Sequence, residues 1–295
     1  MHSAGGIDNS AGGSIGSLGT LTVTSGGALQ NVEGSIVSNS DVSLQVAGLD
    51  NKAGRVSANT VHIESRNGAG DWQAVNNQGG NIAANQTLTI ESGRLDNSTG
   101  GSIATTAAGS SITVVSHGQD IVNQQSGSAG GILAAGSLQV DAQGGRLDNG
   151  SAGYIGAAGR MDLVAASIQN QSGTIAADSD ISLRATAVSG TGIDNSSGTI
   201  QAKGSDITIT AGATDINNGA GNIVADQNLA VTTTGSINNL QGKMTAGQVL
   251  AISDSARVTN TGGTLHAGEL LALRNTSVSG DGKLLSDKDL ELALR

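Results

Sequence analysis

Ile168-Gln169-Asn170-Gln171-Ser172-Gly173-Thr174-Ile175-Ala176-Ala177, with Ile181-Ser182-Leu183 close behind, carries the pattern that decides the fold. Its apolar residues are spaced by two, the period of a strand, not by the three or four of a helix. Between the apolar pairs stand Asn, Gln, Ser and Gly, which favour turns. The same order (apolar-x-Asn, a Gly-bearing turn, apolar-x-small, apolar-x-apolar) recurs along the whole chain, and thirteen such units align.

Three columns define the repeat. The Asn column runs Asn9, Asn31, Asn51, Asn77, Asn97, Asn123, Asn149, Asn170, Asn195, Asn218, Asn239 and Asn260, and becomes Gly280 in the last unit. Its steps of 20 to 26 residues suit the coil of a solenoid. After the turn comes a core column: Ile15, Ile36, Val56, Ile82, Ile103, Ile132, Ile155, Ile175, Ile200, Ile223, Met244, Leu265 and Leu284. Two residues later stands a small residue, from Ser17 and Ser38 through Ala84, Ala177 and Ala225 to Ser286. Pairs such as Leu88/Ile90, Leu138/Val140 and Ile207/Ile209 follow.

No single unit can bury its inward face, whereas stacked units can, each Ile lying on the Ile above and below it. A large inward side chain contributes about 1.5–3 kcal/mol on burial, which offsets the chain entropy lost on ordering. The small column fits where strands turn around a narrow lumen. These patterns predict an all-β chain, a right-handed parallel β-helix of about 13 coils without helices. It is expected as a single repeat segment over residues 1–295, with insertion loops near 64–74 and 105–131 where the period breaks.

Composition agrees. Among 295 residues there are 46 Gly, no Pro, no Cys, no Phe, one Trp and one Tyr. A core must therefore come from Ile, Leu, Val and Ala, without the aromatic payload of an ordinary globule. The net charge of -10 argues against nucleic acid, which is bound through Lys and Arg, and against anionic membrane surfaces. No apolar run is long enough to span a bilayer and no leader is apparent, so no membrane insertion is expected and the chain reads as an internal fragment with coils continuing beyond both ends.

Asn in the turn is expected to adopt positive φ, cap its own backbone and bond from coil to coil, as amide ladders do in cross-β stacks. The preceding position alternates over the first ten coils: Asp8, Asp50, Asp96, Asp148 and Asp194 in the odd ones, Gln30, Asn76, Val122, Gln169 and Asn217 in the even ones. Carboxylates stacked at ~4.8 Å repel by about 0.9 kcal/mol in water. Like-charge avoidance and duplication of a two-coil unit both explain the alternation. One carboxylate per two coils is too sparse for a calcium ladder.

No catalytic, metal or cofactor site is expected. Gly12-Gly13-Ser14-Ile15-Gly16 fits the nucleophile-elbow pattern, but it is the repeat's own turn and implies no Asp/His partner. His2, His62, His117 and His266 lack metal-ligand spacing. The one Trp, Trp72, lies in the irregular stretch Glu64 to Ala74 and marks a possible contact loop; folding over a neighbouring apolar patch explains it equally well.

Leu95-Asp96-Asn97-Ser98-Thr99-Gly100-Gly101-Ser102-Ile103-Ala104 resembles the haemagglutinin repeats of filamentous haemagglutinin and the stalk repeats of contact-dependent growth inhibition toxins. The resemblance covers nearly the whole chain. It implies a β-helix exported unfolded through an outer-membrane secretion partner and displayed on the surface of a Gram-negative bacterium. The expected role is a structural and adhesive filament that extends a receptor-binding or toxin module, with a host or neighbouring-cell receptor as a further partner. The alternatives are a glycan- or protein-binding module using the insertion loops and, less favoured by scattered charges and scarce aromatics, a β-helix polysaccharide lyase.

Overall fold

The computed structural model describes residues 1–127 and 130–295; Ser128 and Ala129, in the irregular stretch near 105–131, lie outside the described residues. The described chain is all-β, and none of it is helical. It forms a parallel β-solenoid of about fourteen turns, against thirteen aligned repeats. The chain divides into two compact units: Met1–Asp148 with Gly153–Ala158, and Asn149–Ala152 with Gly159–Arg295.

In the first unit a coil consists of a short strand, a turn and two longer strands, as in Leu29–Gln30, Ser35–Ser38 and Asp41–Val46. Successive coils pair in parallel and in register. Ile36 lies between Ile15 and Val56, and Ile103 between Ile82 and Ile132. A second apolar column runs through Val23, Leu44, Ile63, Ile90, Val114 and Val140. Alternate residues point inward because the strand period is two, so one register serves every apolar side chain of a coil.

The second unit repeats the plan. Ser167–Gln169, Thr174–Ala177 and Ile181–Ala185 make one coil. Its core column runs in register from Ile175 through Ile200, Ile223, Met244 and Leu265 to Leu284. A third column, two residues before each Asn and before Gly280 in the last coil, stacks Ile168, Ile193, Ile216, Ile237, Val258 and Val278.

The eleven core-column residues from Ile36 to Leu265 are completely buried, whereas Ile15 and Leu284 are half-buried. These two sit in the first and last coils, where an apolar side chain has a neighbour on one side alone. In the small column, Ala177, Ala202, Ala225, Ala246 and Ala267 are buried, and Ala58 and Ser286 are half-buried.

The stretch after Ser65 leaves the coil as a short excursion. Arg66 and Trp72 form an isolated antiparallel bridge, and the Asn67 N–H donates to the Asp71 carbonyl at 2.9 Å. The Asn67 side-chain oxygen also accepts from the Ala69 and Asp71 N–H groups, which tightens the tip. In the second irregular stretch the Ser110 N–H donates to the Ala107 carbonyl, and the Ser110 hydroxyl donates to Thr105 at 2.7 Å.

Candidate functional site

The most regular polar construction is the turn built on the Asn column. Within each unit these side chains are buried, and the amide nitrogen of one Asn donates to the amide oxygen of the Asn one coil on. In the first unit the links Asn9–Asn31, Asn31–Asn51, Asn51–Asn77, Asn77–Asn97 and Asn97–Asn123 measure 2.6–2.8 Å. In the second unit Asn149–Asn170, Asn170–Asn195, Asn195–Asn218, Asn218–Asn239 and Asn239–Asn260 measure 2.7–2.8 Å. The same nitrogens reach nearby carbonyls: Asn218 donates to Gly221 at 3.3 Å and to Lys243 at 3.1 Å. Beyond Asn9 and Asn260, the column is completely buried. A buried amide without partners would be costly, and here the partners come from the adjacent coil.

Two roles expected of these Asn residues fall to their neighbours. Positive φ occurs two positions later, at Ala11, Glu33, Ala53, Gly79, Thr99, Gln125, Ser151, Ser172, Ser197, Ala220, Gln241 and Gly262, while no Asn of the column adopts it. The backbone cap comes from the residue before. Asp8, Asp50, Asp96 and Asp194 each accept the N–H two residues on, at 2.9–3.2 Å, and Asn76 and Asn217 do the same. Such Asx turns release the buried Asn for the coil-to-coil bond.

The alternation before Asn has a direct correlate. Asn76 donates to Asp50 at 3.0 Å and Asn217 to Asp194 at 3.1 Å. Gln124 donates to Asp148 and Gln171 to Asp194, both at 2.9 Å. The amides between the carboxylates both separate the charges and supply donors to them. At Asp8, the backbone N–H and then the hydroxyl of Ser10 hold the carboxyl below its ordinary value. Farther along, the Ser205 hydroxyl, followed by the Asp206 N–H, does the same for Asp180.

The glycine that closes each turn has a role that its place in the repeat did not explain. A Cβ at Gly198 would overlap the carbonyl oxygen of Asn170, one coil earlier, and lie 2.7 Å from Asn195 Oδ1. Gly34, Gly54, Gly80, Gly173, Gly221 and Gly242 meet equivalent atoms. The constraint is the close approach of one coil's turn to the next.

Trp72 does not present a free ring. It stacks on His117 with centroids 3.6 Å apart and planes 6° from parallel, and the Arg66 guanidinium lies over the ring at 5.3 Å. Sequence reading had no signal joining Trp72 to His117, which belongs to a later coil. The remaining histidines stay separate: His62 is half-buried on its strand, and His266 lies 3.2 Å from Asp287. Among the described residues no group of three or more His, Cys, Asp or Glu could hold a metal ion. No helix among them is long and apolar enough to cross a membrane.

A family model described as haemagglutinin repeat matches residues 3–69, 73–125, 133–214 and 205–294. Residues 70–72 and 126–132 fall between these matches, at the two stretches where the period breaks. No curated protein and no solved structure matches the chain.

Proposed function

Because the chain belongs to the haemagglutinin repeat family, we propose that it is a structural and adhesive filament segment of a secreted bacterial surface protein, carrying a receptor-binding or toxin module away from the cell. The observation that supports this reading is the repetition itself. Core, Asn and Gly columns recur coil after coil in each unit, so the ordered polar chemistry is spent joining one coil to the next. The family is one of adhesive and structural repeats, which fits a secreted or cell-surface bacterial protein and a non-enzymatic role.

Export unfolded through an outer-membrane partner, with folding outside by coil-on-coil addition, fits a chain whose coils gain stability only from neighbours. It also fits the absence of Cys, since no crosslink has to form or break in transit. The alternative, recognition of glycan or protein through the 64–74 loop, is disfavoured because His117 and Arg66 already occupy the Trp72 ring.

Binding of the purified chain to a glycan array and to cells separates the two. The filament reading expects the same signal from the native chain and from one lacking residues 64–74. Saturable binding lost on that deletion would overturn it in favour of the loop.

A further inference from the structure

The excursion after Ser65 packs against a later coil through one aromatic stack, and one ring of that stack is an imidazole, a group that can take up a proton. His117 begins the turn after the strand Ser111–Ser116, and its N–H is fixed to the Ser92 carbonyl at 2.9 Å. Its ring covers Trp72. Its Nε2 is buried and has no hydrogen-bond partner among the described residues, and the carboxylate of Glu91, on the preceding coil, lies 3.6 Å away. At that distance a neutral imidazole makes no hydrogen bond to the carboxylate. An imidazolium donates from both nitrogens and turns Nε2 toward an opposite charge.

We propose that residues 64–74 form a proton-operated strap, in which a proton on His117 tightens the Trp72 stack and clamps the excursion onto the coils beneath. The groups facing His117 favour this direction. Glu91 attracts the new charge, and the indole face attracts a cation. Arg66, over the same ring, opposes it but is compensated by Glu64 at 2.8 Å. With neutral His117, the set Glu64, Arg66, Glu91 and His117 carries one net negative charge, which the proton cancels. On the following coil the nearest acid by register is Asp141, opposite Val115, and it already accepts the Gln143 N–H. Asp120, on the same turn as His117, pairs with Arg146. Neither competes for the imidazole.

Trp72 is the chain's single Trp, so its fluorescence reports the stack without labelling. Fluorescence and hydrogen exchange of the strap amides of Arg66, Asn67, Gly70 and Gln73 are compared in the full chain at pH 5.5 and pH 7.5. Exchange is corrected for its intrinsic pH dependence. The expected result is emission quenched at pH 5.5 and strap exchange slowed roughly two- to fivefold, the population shift that a partly exposed ion pair supports. Both responses should vanish in His117→Gln, and the gain in protection should shrink in Glu91→Gln. Equal protection at both pH values, or a pH response that survives His117→Gln, overturns the proposal. Should His117→Gln fail to fold, an unchanged pH response in Glu91→Gln overturns it equally.

Discussion

Replacing Asn195 with Asp exchanges a donor for an acceptor at the centre of the second unit's amide ladder. In the native chain the Asn195 nitrogen donates to Asn218 Oδ1 at 2.8 Å and to the Gly198 and Asn222 carbonyls, both at 3.3 Å. A carboxylate oxygen in its place meets three acceptors and no donor, in a position completely buried from solvent. Leaving a buried charge uncompensated costs about 3–5 kcal/mol, of which the orphaned Asn218 oxygen accounts for about 1–3 kcal/mol. Protonation repairs most of this, because a neutral carboxyl can donate to Asn218. The folded-state pKa of the new carboxyl is thus raised above its unfolded value. The variant keeps its stability below about pH 4, where the group is protonated in both states, and loses it as pH rises through the raised folded value. Thermal denaturation of variant and parent at pH 3.5 and pH 7.5, followed by circular dichroism, measures the difference. A deficit under about 1 kcal/mol at pH 7.5, or one equally large at pH 3.5, would refute a ladder that is dry and saturated with donors.

Three further outcomes follow from the same contacts. Gly198→Ala places a methyl group against the Asn170 carbonyl; urea denaturation should show a loss of about 1–3 kcal/mol, and a neutral result would mean that the coils are not this close. Ile175→Asp buries an unpaired charge at a position with no solvent access, so local hydrogen exchange near the strands Thr174–Ala177 and Thr199–Ala202 should accelerate, and unchanged protection would place Ile175 outside the core. Ser205→Ala removes the hydroxyl that lowers the Asp180 pKa. That depressed value gives stability present above the ordinary Asp range and lost as pH falls through the folded value. The variant should therefore be less stable than the parent at neutral pH and converge with it on acidification, as pH-dependent melting would show; parallel curves would exclude the contribution.

The period of the apolar residues made the solenoid legible, because in a stack each Ile must sit on an Ile and the spacing of Ile175, Ile200 and Ile223 records it directly. What stayed hidden depends on neighbours in three dimensions. The left-handed position falls on exposed residues of any type, Glu33, Thr99 and Gln241 among them, and so leaves no composition signal. The alternating Asp column was visible, but not that Asn76 and Asn217 donate to those carboxylates. Gly198 was visible as part of the repeat, while the reason for it belongs to Asn170 on another coil. Trp72 and His117 sit in the two irregular stretches, where no period predicts which residues meet.

The central claim is that successive coils pair in parallel and in register. Ser182 and Thr208 are register partners on adjacent strands, outside the buried columns, and adjacent strands lie ~4.8 Å apart, within disulfide reach. The chain contains no Cys, so an introduced pair can join only to itself or to another copy. Oxidation of the dilute double variant Ser182→Cys/Thr208→Cys should form an intramolecular disulfide quickly and nearly completely, while Ser182→Cys/Thr210→Cys should not. Equal crosslinking of both pairs, or preference for the second, would contradict the register on which the account stands.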